Sequence, residues 1–159
     1  MVVDGQRLFR DAVEIALELR PLVQLVASVS DVSQAVDQAR RSKADVVLMT
    51  SDAGDDSQLD VVAALRKARP DCRIVALLDD EDDLSNVALL IRQGAVGFVS
   101  RRCSSKELVS AIEMAHSGGA VLPAPVLRKL LMRTLPSRDD PAKAPVDLTE
   151  APTKRVKLP

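Results

Sequence analysis

Thr50 stands at the tip of the apolar run DVVLM, residues 45 to 49, where the chain breaks into the small, acidic stretch SDAGDD, residues 51 to 56. In open α/β proteins ligands and chemistry gather at the carboxyl ends of strands. A threonine hydroxyl is a weak nucleophile unless a base activates it, and the chain has one histidine, His116. The other residues with chemical capacity are scattered. Asp4 follows an apolar start and is itself followed by Gly5, and Asp52 lies two residues past Thr50. DDEDD, residues 79 to 83, is a run of carboxylates, and Arg101 and Arg102 precede Cys103. The carboxylate run leads into a helical pattern, where negative charge suits the helix N-terminus. Cys72 and Cys103 with one histidine give no zinc-ligand spacing. A redox role for Cys103 requires a depressed thiol pKa, for which the adjacent arginines are a hint. With no nucleophile–base pair and no glycine-rich phosphate loop, an enzyme is not expected.

Composition narrows the class further. The 159 residues are 47% hydrophobic and 28% charged, which suits a folded domain with a sizeable core. There is no Trp or Tyr, and the two aromatic residues are Phe9 and Phe98, so the core is aliphatic. A net charge of −1 gives no overall footprint for nucleic acid. No apolar run approaches the ~20 residues of a membrane span. Two cysteines and no signal-peptide pattern suggest free thiols in the cytoplasm.

Hydrophobic spacing places the elements that would position these residues. Residues 7 to 19 carry a helical stripe stopped by Pro21, and residues 22 to 30 read as a strand. Asp31 is the N-cap of a helix reaching Ser42. DVVLM is a strand buried on both faces. A helix from Gln58 to Ala68, a strand at 73 to 78, a helix from Leu84 to Gln93 and a strand at 96 to 100 follow. Gly94 fits the C′ position of its helix. Ser104 or Ser105 caps a helix running to Ser117, and a last helix spans about 125 to 135 with proline near its start. Strict alternation predicts an α/β fold with a parallel sheet and helices on both faces. The first strand is short. The expected domains are 1–122, a linker helix at 123–135, and a proline-rich disordered tail at 136–159. KRVK, residues 154 to 157, is read as a solvated basic cluster.

The segment IRQGAVGFVSRRCSSKELVSAIEMAHSGGAVLPAPVLRKLL, residues 91 to 131, resembles the second half of a response-regulator receiver domain of the NarL/FixJ (LuxR-type) family. VVDGQRLFRDAV, residues 2 to 13, and ADVVLM, residues 44 to 49, resemble that family's first strand with its helix and its third strand. The resemblance implies a flavodoxin-like five-stranded sheet of order 2-1-3-4-5. It also implies self-phosphorylation on an aspartate at the end of the third strand, with Mg²⁺ and a partner histidine kinase.

Carried over position by position, the family's site is depleted. The acidic pair becomes Asp4 and Gly5, and the acceptor becomes Thr50. The switch hydroxyl becomes Leu78, the lysine becomes Arg101, and the switch aromatic is Phe98. Gly54 and Asp55 replace the Pro-Gly after the acceptor. A carboxylate must attack phosphorus, and carboxylates must hold the metal. The expectation is therefore a degenerate receiver with no resident cofactor and weak or lost Mg²⁺ binding. An Asp4–Arg101 ion pair would fill the pocket. Association would proceed without phosphate, as a homodimer or with another regulator, through helix 4, strand 5 and helix 5 or through helices 1 and 5.

VDLTE, residues 146 to 150, resembles the entry to the family's helix-turn-helix domain, but these residues hold no recognition helix. DNA binding by this chain alone is not expected, nor is a membrane. The alternatives are a regulator phosphorylated on a non-standard acid such as Asp52, a truncated DNA-binding transcription factor, or a small-molecule sensor reusing the pocket.

Overall fold

The computed structural model describes residues 1–18, 20–21, 23–51, 56–79 and 84–134. Along the chain run β1 (Val2–Val3), α1 (Arg7–Glu18), β2 (Ser28–Val29), a 3-10 turn (Val32–Gln34) and α2 (Ala35–Ser42). They are followed by β3 (Val46–Ser51), α3 (Asp56–Ala68), β4 (Arg73–Leu78), α4 (Leu84–Gln93), β5 (Gly97–Ser100), α5 (Ser105–His116) and α6 (Ala124–Thr134). The strands form one parallel sheet of order β2-β1-β3-β4-β5, the flavodoxin-like arrangement. Two apolar clusters lie on its two faces. Val13 and Leu17 of α1 and Leu108, Val109, Ile112 and Ala115 of α5 cover one face. Residues of α2, α3 and α4, with Phe98 and Val126, cover the other. The central strands β3 and β4 are buried almost throughout, which is why they read as continuous Val, Leu, Ile and Ala runs.

The segment before Ser28 is the main departure from the sequence reading. The register sets Val2 opposite Ser28 and Val3 opposite Val29. Residues 23 to 26 therefore lie outside the two-residue ladder that pairs β2 with Val2–Val3. Val23 and Leu25 still pack against the α1–α5 face, so the alternation is real but the ladder is not. Asp31 accepts a hydrogen bond from the Ser33 N–H at 2.8 Å, capping the 3-10 turn, and the α-helix begins four residues later at Ala35. β3 runs on through Thr50 and Ser51, because both residues continue the ladder with β4. The α3 helix starts at Asp56, two residues earlier than the apolar spacing indicated.

Two helix ends match their local chemistry closely. Gly94 ends α4 with φ of 104°, a conformation that L side chains resist, and a Cβ there would meet Arg66 Cγ at 2.9 Å. Ser104 and Glu107 form a reciprocal capping box at the start of α5. The Ser104 backbone N–H and hydroxyl each donate to Glu107 Oε2 at 2.8 Å, holding that carboxyl below its ordinary value of 4.5. A carboxylate whose folded-state pKa is depressed stabilises above its unfolded value, and the contribution fades as pH falls through the folded value. Wild type should therefore lose more stability between pH 7 and pH 3 than Glu107→Gln, read from urea midpoints at each pH.

The last helix settles onto its own domain. Val126 is fully buried in the Phe98 cluster, Leu122 and Leu130 pack at its edge, and α6 lies against α4. Leu127, Leu131 and Met132 remain exposed, while Leu135 and the segment 136 to 159 lie outside the described residues.

Candidate functional site

The carboxyl ends of β1, β3, β4 and β5 converge on Asp4. Its side chain is 1% exposed, and both of its oxygens are engaged. Oδ1 accepts from the Gln6 backbone N–H at 2.6 Å, an Asx-type turn that starts the approach to α1. Oδ2 accepts from the Thr50 hydroxyl, and Arg101 Nη2 lies 2.8 Å from the same oxygen. The Asp4 carbonyl accepts from Arg10 Nη1 at 2.6 Å, tying the loop back to the first turns of α1.

The Arg101 guanidinium is the cation of the site. Its side chain is 11% exposed. It sits over the Phe9 ring, 4.6 Å from the centroid, and its Nη1 donates to Asp79 Oδ2 at 3.3 Å. Asp79 follows Leu78, which pairs with Ser100 in the sheet, so parallel register brings Asp79 beside Arg101. Among the described residues Nη2 makes no aligned hydrogen bond despite its 2.8 Å approach to Asp4, so that contact is Coulombic rather than directional. Pairing two largely buried groups of opposite charge, with Thr50 and Gln6 completing the carboxylate's bonds, offsets the desolvation each suffers.

The sequence-derived positions separate into three groups. Asp4, Thr50 and Arg101 are brought together, and the expected Asp4–Arg101 pair forms. Gly5 is exposed next to them, and among the described residues a Cβ there would meet only the Ser30 carbonyl at 4.0 Å. Leu78 and Phe98 are buried in the apolar cluster under α4 and offer no polar group to the site. Asp52, Gly54, Asp55 and residues 80 to 83 lie outside the described residues. Sequence reasoning missed Phe9, Arg10 and Asp79. Phe9 and Arg10 were legible only as members of a helical stripe, but Asp79 could have been found from strand register. The hint of an activated Cys103 is reversed: burial, and Glu107 nearby, push that thiol up.

The donor set does not fit a divalent ion. Mg²⁺ wants near-octahedral oxygen ligands. The described residues here supply two carboxylates, Asp4, bonded at both oxygens, and Asp79, and the Arg101 guanidinium lies against both, where a metal's charge would be needed. Among the described residues no group of three or more His, Cys, Asp or Glu is placed to hold a metal ion. None of their helices is long and apolar enough to cross a membrane.

The family model of the response regulator receiver domain matches residues 1–113. The chain belongs to that family. This receiver domain is 34% identical over 121 residues to the nitrate/nitrite response regulator protein NarP of Escherichia coli, covering 76% of this chain and 56% of that protein. It is 25% identical over 152 residues to the transcriptional regulatory protein DegU of Brevibacillus brevis, covering 94% of this chain and 64% of that one. The chain thus spans less than two thirds of either relative. The receiver domain of NarL from Mycobacterium tuberculosis superposes with a TM-score of 0.67 at 27% identity, covering 74% of this chain and 94% of that one. A LuxR-family response regulator from Aurantimonas sp. SI85-9A1 gives 0.75 at 22% identity, covering 84% and 94%, a likeness of fold.

Proposed function

We propose that this receiver domain signals without being phosphorylated, acting by protein–protein association in a two-component-type system that regulates transcription. One observation carries the reading: the hydroxyl at the acceptor position is spent on Asp4, whose same oxygen faces the Arg101 guanidinium. A threonine hydroxyl is a weak nucleophile beside the carboxylate the family uses, and the one group that accepts its hydrogen bond, Asp4, is also engaged by Arg101 and the Gln6 N–H. The built-in guanidinium takes over the charge balance that a metal supplies to two carboxylates. Leu78 adds to this, because an apolar side chain cannot hydrogen-bond a phosphoryl oxygen. Incubation with acetyl phosphate and Mg²⁺ should leave the intact mass unchanged. A stable phosphoryl adduct, on Asp52 or any other acid, would overturn the reading in favour of a non-standard acceptor.

The association surface favoured by exposure is the outer side of α1 and α5. Leu8 is 83% exposed and Ile15 62%, two helical turns apart, and Met114 of the adjoining α5 is also exposed. Exposed apolar side chains on two adjoining helices suit a second copy or a related regulator. In this reading α6 is a linker helix following a domain that ends near residue 122, the chain works in the cytoplasm, and it catalyses no reaction. Sedimentation should show unphosphorylated dimers that Ile15→Glu converts to monomers.

A further inference from the structure

We propose that the end of the domain opposite Asp4, formed by the C-terminal turns of α2, α3 and α4, binds the phosphodiester backbone of a nucleic acid. The topology makes this surface. Each of these helices runs antiparallel to the strands, so their C-termini share one end, and α3 packs between α2 and α4. The α2 end carries Arg40, Arg41 and Lys43. The α3 end carries Arg66 and Lys67, with Arg69 just beyond. Arg92 closes α4, and Arg73 opens β4 at the same end of the sheet, its guanidinium toward Gly118 beyond α5. Against these eight cations the same segments hold two carboxylates, Asp45 and Asp71.

Helix dipoles explain part of this excess, since a cation in the last turn is favourable. They do not require three cations at each of two neighbouring ends. Among the described residues none of the eight forms an ion pair. Arg66 is positioned by donating to the carbonyls of Pro70 at 2.5 Å and Cys72 at 3.3 Å, bonds that keep its charge, and Gly94 leaves room for its stem. The helix ends span roughly 20 Å at 8–10 Å between neighbouring axes, enough to meet several phosphates of a duplex. Six of the eight are arginine, the side chain suited to phosphate.

An acidic protein is the competing partner. A protein interface usually needs an apolar centre; the exposed large apolar side chains of these three helices are Leu89 and Ile91 of α4, at one edge, while α2 and the central α3 expose none among the described residues. A phosphate backbone needs only charge. The overall charge of −1 conceals this face, because the excess of carboxylates lies elsewhere in the chain.

The experiment is fluorescence anisotropy of the full chain with a 20-base-pair duplex of arbitrary sequence, as DNA and as RNA, from 50 to 200 mM salt. Binding of either should weaken roughly hundredfold over that range, as about four neutralised phosphates require. Arg40→Glu/Arg41→Glu/Lys67→Glu should abolish it, and the corresponding glutamine variant should weaken it, with circular dichroism and melting temperature showing that both fold. Lys154→Glu/Arg155→Glu, in the basic tail, should leave it intact. Absence of binding at 50 mM salt, or loss only in the tail variant, would overturn the proposal. So would a patch variant that retains the nucleic acid but loses self-association in sedimentation, which would make this face a protein contact.

Discussion

Arg101→Met should lower the stability of the domain by about 3 kcal/mol, the scale on which breaking a buried ion pair leaves its partner uncompensated. Asp4 keeps the Thr50 hydroxyl and the Gln6 N–H but loses the only cation within ion-pair distance of it among the described residues. The Phe9 ring loses its stacked guanidinium as well. Urea denaturation reads the loss directly, and a fall of roughly 10 °C in melting temperature should accompany it. Asp4→Asn/Arg101→Met removes both charges and should regain much of the difference. That double-mutant cycle separates the pair from the packing of the arginine stem. If Arg101→Met melts like wild type, the guanidinium is not what balances Asp4, and the account of a self-neutralised site fails.

A second variant tests the proposed lack of phosphoryl chemistry. Gly5→Asp/Thr50→Asp, combined with Arg101→Lys, should gain Mg²⁺-dependent labelling by acetyl phosphate where wild type shows none. Space is available: a side chain at Gly5 projects into the open, and Thr50 already points its hydroxyl at Asp4. The two introduced carboxylates and Asp4 would supply oxygens for a divalent ion, and the carboxylate introduced in place of the Thr50 hydroxyl would be the attacking group. Gly5→Asp/Arg101→Lys without the change at Thr50 should gain metal affinity but no phosphoryl adduct. Intact-mass analysis and a metal titration by calorimetry distinguish the two gains. Labelling of the variant that retains Thr50 would place the acceptor elsewhere.

Most of the fold was legible from local chemistry. β4 and α4 fall where apolar periodicity put them, and Gly94 and the Ser104–Glu107 box end and begin their helices as their residue types require. The largest departure has a physical cause. Residues 22 to 30 carry strand-like alternation, but a strand also needs a neighbour, and register with Val2–Val3 grants pairing only at Ser28–Val29. Periodicity reports which face is buried and not whether a ladder exists beside it. At the site, the identities of Asp4, Thr50 and Arg101 could be read in order along the chain. The partners Phe9 and Arg10 could not, since they reach the cluster through helix packing, whereas Asp79 follows once strand register is set.

The order of residues alone determined a parallel, alternating α/β domain and which residue types stand at its strand ends, because both depend on residue type and short-range spacing. Only the tertiary structure decided that Thr50 spends its hydroxyl on Asp4, that Arg101 is held between two carboxylates and a ring, and that eight cations collect at the opposite end. Those outcomes depend on side chains from distant segments meeting where a twisted sheet and its parallel crossovers bring them together, and no local pattern encodes such a distance.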